Sequence, residues 1–320
     1  MVKPVVAQSR TCFPQELPAW IHLPLKTRLS VLARRSKAEL LLVVATFIWG
    51  ATFVVVKSAL ADATPFPFLA MRFLLAGILM MATMAHGRLP RKALLPSLLL
   101  GIMLFAGFAF QTWGLVFTTP SKSAFITGFS VILVPVISLF HGYRLRPANA
   151  FGAGLGLLGL YFLVTPSRLG AVNLGDLLTL FGAMAFAIHI VLVGLYTRRF
   201  SFLYLAPGQI MVVGIIAALA IPLGPSSAVH WTSRLVFAIV VTAFLATAFC
   251  FSTQVWAQQY TPPAHTALIF ALEPVFAALT SRVITKEHFG GKVLVGSALI
   301  LAGMVISELW GATAPAPVEG

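Results

Sequence analysis

Between residues 38 and 310 the chain is almost unbroken apolar sequence, punctuated by short polar or proline-rich interruptions. A helix needs roughly 20 consecutive apolar residues to cross a bilayer core. Ten stretches of about that length follow one another, near 38–61, 66–85, 94–117, 121–141, 147–165, 174–196, 203–222, 235–257, 263–284 and 290–310. The breaks carry turn residues, as in HGRLPRK (86–92), TTPSK (118–122), GYRLRP (142–147), PLGPSS (222–227) and TPP (261–263). Only 9% of residues are charged and 59% are hydrophobic, against about 25% charged in a soluble domain. Such a chain cannot cover itself with polar surface, so its solvent is lipid and the expected fold is an all-α membrane protein of ten transmembrane helices.

The net charge of +14 does not point to nucleic acid, because no continuous basic surface can form outside the bilayer. Seven of the 22 lysines and arginines lie in residues 1–37, and most others sit in short loops. That bias toward one side is expected where loops face an anionic cytoplasmic leaflet, and it places both termini on the cytoplasmic side of a cell membrane. The basic 285–292 loop runs against it. Residues 1–37 contain four prolines and no signal-peptide pattern. They read as a mobile basic cytoplasmic tail, with room for a surface helix near 25–37. Residues 311–320 read as a second, short tail. Cys12 and Cys250 are the only cysteines, one in the tail and one mid-helix, so neither a disulfide nor a metal site is expected.

A repeat is written into the apolar region. QTWGLVFTTPSKSA (111–124) and QVWAQQYTPPAHTA (254–267) share Gln111/Gln254, Trp113/Trp256, Thr118/Thr261, Pro120/Pro263 and Ala124/Ala267, all at one spacing in the numbering. Gly77 and Arg72 pair with Gly214 and Gln209 at a slightly shorter spacing, and Gly152 and Gly159 with Gly296 and Gly303 at a slightly longer one. Pro135 and Pro274 also pair, at a spacing that suggests a small indel nearby. Two repeats, 38–165 and 174–310, would each hold five helices. Five is odd, so the second copy enters the membrane upside down, an arrangement that builds a midplane site able to open to either side.

With that organisation in view, FIWGATFVVVK (47–57), PFLAMRFLLAG (67–77), FQTWGLVFTTPSKSAFITG (110–128), GDLLTLFGAMAFAIHIVLVG (175–194) and TPPAHTALIFALEPVFAAL (261–279) resemble the motifs of EamA-type permeases of the drug/metabolite transporter superfamily. The resemblance covers residues 38–310. It implies ten helices in two inverted repeats around a central cavity for a small organic solute, often exported. One departure is HGYRLRP (141–147), which lacks the acid often found there in the family; Glu287 stands in the matching second-half connection.

Polar groups are costly in hydrocarbon, so each needs a partner or a wet cavity. Gln111 shares a face with Gly107, Gly114 and Thr118; Ser123, Thr127 and Ser130 form a stripe; Gln254 aligns with Thr247, Cys250 and Gln258. These faces either line a cavity or hydrogen-bond between helices. Glu273 precedes Pro274, whose missing N–H predicts a kink beside an ionisable group. It reads as a proton or solute site, or as a structural carboxylate. His189 could relay protons or pack, and Trp49 could wall a cavity or pack. Arg72 snorkels to the interface or makes an anion contact inside the bundle. Lys57, at the end of the first helix, screens solutes at a mouth or snorkels. His265 replaces Lys122 across the repeat. The glycines at 152–159 suit close helix packing rather than a dinucleotide fold.

No P-loop, GxSxG, HExxH or paired-carboxylate arrangement occurs. The expected activity is therefore secondary transport, with no catalytic residue and no cofactor. The expected partners are a small organic solute, the lipid bilayer, a coupling proton and, as a homodimer, a second copy of the chain. An integral membrane enzyme and a non-transporting scaffold are the alternatives.

Overall fold

The computed structural model describes residues 25–83, 90–141, 146–164, 173–224, 227–285, 291–307 and 310. The expected tails over 1–24 and 311–320, and Glu287, lie outside these. The described chain is helical. In order it forms α1 (Leu25–Ala59), α2 (Pro65–Thr83), α3 (Arg91–Phe117), α4 (Pro120–Thr127), α5 (Ser130–Leu139), α6 (Pro147–Val164) and α7 (Leu174–Tyr196). It continues with α8 (Phe202–Ala220), α9 (Ser233–Val241), a π-helical stretch Thr242–Phe249, α10 (Cys250–Ala257), α11 (Pro263–Phe270), α12 (Glu273–Thr285) and α13 (Gly291–Ile306).

Among the described residues, eight helical spans are long and apolar enough to cross a membrane: 32–59, 65–83, 91–117, 120–139, 174–196, 202–219, 233–257 and 263–284. They coincide with eight of the ten expected spans. The fifth and tenth expected spans are occupied by α6 and α13, which pack on each other and are not among those eight. The surface is inverted relative to a soluble protein. Large apolar side chains such as Phe140, Leu219 and Val283 are exposed, while Gln209, Thr247 and Ser123 are fully buried. This is the arrangement that lipid, rather than water, selects.

Three expectations are corrected. First, α1 begins at Leu25, so residues 25–37 continue the first helix rather than forming a separate surface helix. Second, two spans expected to be continuous are broken. Gly128 and Phe129 separate α4 from α5, and Ala271 and Leu272 separate α11 from α12. The two breaks fall at matching positions, with the same spacing as the 111–124 and 254–267 segments. Third, the Pro135/Pro274 pairing therefore fails. Pro274 sits at the second position of α12, whereas Pro135 lies inside α5, and no indel is needed.

Glycines set how closely the helices meet. A Cβ on Gly152 would lie 2.6 Å from the Gly303 carbonyl, one on Gly303 would lie 2.5 Å from the Gly152 carbonyl, and one on Gly159 would lie 2.5 Å from the Gly296 carbonyl. Backbones this close tolerate no side chain, the small-residue packing used between membrane helices. Where α2 meets α8 the relation is reciprocal: Gly77 faces Met211, and Gly214 faces Leu74.

At the end where α1 finishes, the turn 60–64 pairs with the segment entering α9. Asp62 accepts from Arg234 Nε and Nη2 at 2.7 Å each and from Thr232 Oγ1 at 2.8 Å, and the His230 N–H donates to the Asp62 carbonyl. The Arg234 hydrogen bonds hold the Asp62 carboxyl below its ordinary range.

Candidate functional site

A cavity of about 80 Å³ lies where the broken helices meet. At ~10–15 Å³ per water it holds several waters. Its walls come in pairs at the repeat spacings. From α1 and α7, Trp49, Thr52 and Phe53 are matched by Phe186, His189 and Ile190, with the spacing of Arg72 and Gln209. From α3 and α10, Phe108 and Gln111 are matched by Phe251 and Gln254, with the spacing of the two QxW segments. From the two breaks, Thr127 and Ser130 are matched by Phe270 and Glu273 at that same spacing.

Aromatic rings form the apolar part of the wall. Trp49 lies 5.2 Å from Phe251 and 5.1 Å from Phe270, and Phe108 lies 5.1 Å from Phe186. The indole N–H of Trp49 donates to the Ala246 carbonyl at 2.8 Å, inside the π-helical stretch. Such stretches are frequent at functional sites, and nothing in the sequence announced this one.

The two glutamines use their amide N–H groups on the protein. Gln111 Nε2 donates to Thr127 Oγ1 at 2.9 Å, and Thr127 Oγ1 donates to the Ser123 carbonyl at 3.0 Å. Gln254 Nε2 donates to Gln258 Oε1 at 3.1 Å, and Gln258 Nε2 donates to the Ile190 carbonyl at 2.8 Å. Among the described residues no donor reaches either amide oxygen.

Of the residues singled out from sequence, Trp49, Arg72, Gln111, Thr127, His189, Gln254 and Glu273 all line this cavity. Ser123 is fully buried behind it, and its hydroxyl has no partner among the described residues. Lys57 is also elsewhere. Its ammonium donates to the carbonyls of Leu115, Val116 and Thr118 at 2.6, 3.2 and 3.1 Å, closing the end of α3. A cation at a helix C-terminus meets the negative end of the dipole, so Lys57 neither snorkels into lipid nor faces solute. Arg72 does not snorkel either. It is 3% exposed; Nε donates to Thr247 Oγ1 at 2.8 Å, and its guanidinium carbon lies 5.0 and 4.9 Å from the Phe73 and Phe108 rings. His189 Nε2 lies 2.7 Å from Oε1 of Gln209, the residue at the repeat position of Arg72.

Thr52, Phe108, Phe186, Phe251 and Phe270 also line the cavity, although no local pattern singled them out in the sequence. The spacing already visible in Arg72/Gln209 would have found Phe186 from Trp49 and Thr52 from His189.

Beyond the cavity, at the start of α4, Lys122 Nζ lies 2.6 Å from Asp176 Oδ2, while Thr118 Oγ1 donates to Asp176 Oδ1 at 3.0 Å. Asp176 also closes the capping box that starts α7 with Asn173. The repeat positions of Lys122, Asp176 and Thr118 are His265, Glu39 and Thr261. His265 Nε2 stands 3.5 Å from Glu39 Oε1, and the buried Thr261 hydroxyl has no partner among the described residues.

The EamA-like transporter family matches this chain twice, over residues 36–165 and 173–309. An uncharacterized transporter of Archaeoglobus fulgidus is 32% identical over 86% of this chain and 87% of its own length. A chloroplastic WAT1-related protein of Arabidopsis thaliana is 26% identical over 81% of this chain and 66% of its own. A solved crystal structure shares the fold with a TM-score of 0.70 over 86% of this chain and 97% of that one, at 22% identity. With an all-helical body rich in membrane-length helices, and with the family matched over both halves, the chain belongs to the EamA-like transporter family.

Proposed function

We propose that the chain is a ten-helix secondary transporter that moves a small organic solute through this cavity by alternating access. Its two five-helix halves, 38–165 and 174–310, enter the membrane in opposite senses, with α4–α5, α9–α10 and α11–α12 each counting as one crossing. The observation that carries the reading is the pairing of the cavity wall: residues from the two halves face the same space at the two spacings of the repeat. Helix contacts support it. Exchanging the halves turns the α3–α7 contact into that of α10 with α1, leaves α2–α8 and α6–α13 in place, and turns α5–α7 into α12–α1. Two equivalent halves around one site can tip either way, so that the cavity opens to one side and then the other.

In this reading the Lys122–Asp176 and His265–Glu39 pairs are the two ends of the pathway. The tighter end is closed in this state, and the looser end is the one that tightens when the halves exchange roles. Export is the proposed direction, from a cell membrane with both termini cytoplasmic.

The test is counterflow in proteoliposomes loaded with a panel of organic anions, cations and dipolar metabolites. Some member of the panel exchanges, and Gln111→Ala and Gln254→Ala each lower its flux severalfold while elution and yield stay normal. Unchanged flux in both variants would remove the glutamines from the pathway.

A further inference from the structure

The two halves are not equivalent in charge. Where the first half places Arg72, the second has Gln209; where the second places Glu273, the first has Ser130. Arg72 and Glu273 both line the cavity. Arg72 is buried, with Nε on Thr247 and Nη2 only 3.5 Å from the Ala246 carbonyl. A guanidinium carries five donors, so most of them are unused. Among the described residues no carboxylate makes an ion pair with it. Glu273 opens α12 at the break, and among the described residues its carboxylate has no hydrogen bond and no ion pair. The two side chains do not pair with each other.

Uncompensated charges inside a membrane protein are costly and mark pathways. Removing water from one charge is costly unless an opposite charge arrives. Here a guanidinium and a carboxyl group, neither in an ion pair among the described residues, share a single space whose remaining wall mixes aromatic rings with amide and hydroxyl groups.

Resting on the transport reading of this cavity, we propose that its solute is dipolar. An anionic group docks on Arg72, a cationic group faces Glu273, and an apolar or aromatic body lies among Trp49, Phe108, Phe186 and Phe251. The anion completes the guanidinium fork bidentately, which a lysine could not do. The cation satisfies the carboxylate, and the rings contribute surface and cation–π attraction. The charge difference between the halves serves specificity. A symmetric cavity of the Gln209/Ser130 type would bind neutral solutes, whereas this one rejects any solute that leaves one of the two charges unmatched.

The experiment uses the full chain in nanodiscs for thermal stabilisation and in proteoliposomes for counterflow, with the two read together. The probes share a phenyl ring and differ in charge: 3-phenylpropanoate, 2-phenylethylamine, phenylalanine and 4-(aminomethyl)phenylacetate, the last two placing the charges close together or far apart. At least one dipolar probe is expected to bind about tenfold or more tighter than both singly charged probes, since each charged contact is worth at least that factor. Arg72→Gln removes the preference for the dipolar probe over the amine, and Glu273→Gln removes it over the carboxylate. Should Arg72→Gln fail to fold, Arg72→Lys keeps the charge and weakens the dipolar probe while leaving the amine unchanged. Equal or tighter binding of either singly charged probe by the native chain overturns the proposal, as does a panel in which none binds. In those cases the transport reading still stands or falls on the broader counterflow panel.

Discussion

Lys122 Nζ stands 2.6 Å from Asp176 Oδ2 and ties the start of α4 to the start of α7. Asp176 is 6% exposed and accepts a second bond from Thr118. The residues at the matching positions of the other half sit farther apart and leave a threonine hydroxyl unpaired among the described residues. In the proposed alternating-access reading, such a difference sets which end is shut.

Asp176→Asn therefore opens the Lys122 end. A partly buried pair of this kind is worth about 1 kcal/mol, which moves a two-state population about fivefold. The readout is thiol labelling of a cysteine placed at Thr119 in a chain lacking Cys12 and Cys250. The rate rises severalfold in Asp176→Asn and stays unchanged for a cysteine placed beside His265. Equal rates at Thr119 in both backgrounds would show that the pair does not hold this end shut.

Lys57→Met leaves three carbonyls at the end of α3 without their cation. Hydrogen bonds to a charged group are worth ~1.5–3 kcal/mol, discounted here because the site is only half-buried, so a loss of about 1–2 kcal/mol is expected. The melting temperature in detergent falls, while the solute concentration giving half-maximal flux holds, since Lys57 is not in the cavity wall. A changed half-maximal concentration with normal stability would return Lys57 to the pathway.

Gly303→Val sets a branched Cβ 2.5 Å from the Gly152 carbonyl oxygen and 3.2 Å from the Leu155 Cβ. Overpacking of this kind costs ~1–3 kcal/mol, so α6 and α13 separate and the chain unfolds at lower temperature. Gly154 provides the control. A Cβ there meets nothing within 4 Å, and Gly154→Ala leaves stability within about 0.5 kcal/mol. Comparable losses in both variants would mean that the loss at Gly303 does not come from its contact with α6.

Asp62 predicts a pH dependence at the loop end. Its carboxyl is held below the ordinary value by Arg234, so the folded state binds its proton less readily than the unfolded state. The stabilisation is fully present above the unfolded value, about 3.9, and is lost as pH falls through the lower folded value. Melting temperature against pH shows an acid limb below about pH 4 that flattens in Asp62→Asn. An identical limb in the variant would assign the acid loss to other groups.

Much of this was legible in the residues. Lipid demands long apolar stretches, so the helices declare themselves by composition. The 111–124 and 254–267 segments announce a duplication, and the cavity wall pairs its residues at the same spacing. Seven of nine candidate polar or aromatic residues reached the cavity, because a polar side chain in hydrocarbon has few other places to go. Lys57 and Ser123 did not. A lysine at a helix end serves lipid, solute or a neighbouring helix terminus with the same local sequence, and only the approach of α3 decided among them. Arg72 misled in the same way: near the start of its helix, it is long enough to reach an interface, but α3 and the π-helical stretch enclose it.

From sequence alone, then, came the class of fold, the solvent it needs and the two copies of its plan, since each follows from local composition and spacing. Tertiary structure decided what depends on which helices touch. It broke two spans at matching points and introduced the π-helical stretch that accepts from Trp49. It turned Lys57 into a cap and left Arg72 and Glu273 facing one cavity, without an ion-pair partner among the described residues. The spacing of the repeat could say that Ser130 and Glu273 correspond, but only packing could bring both to the same wall.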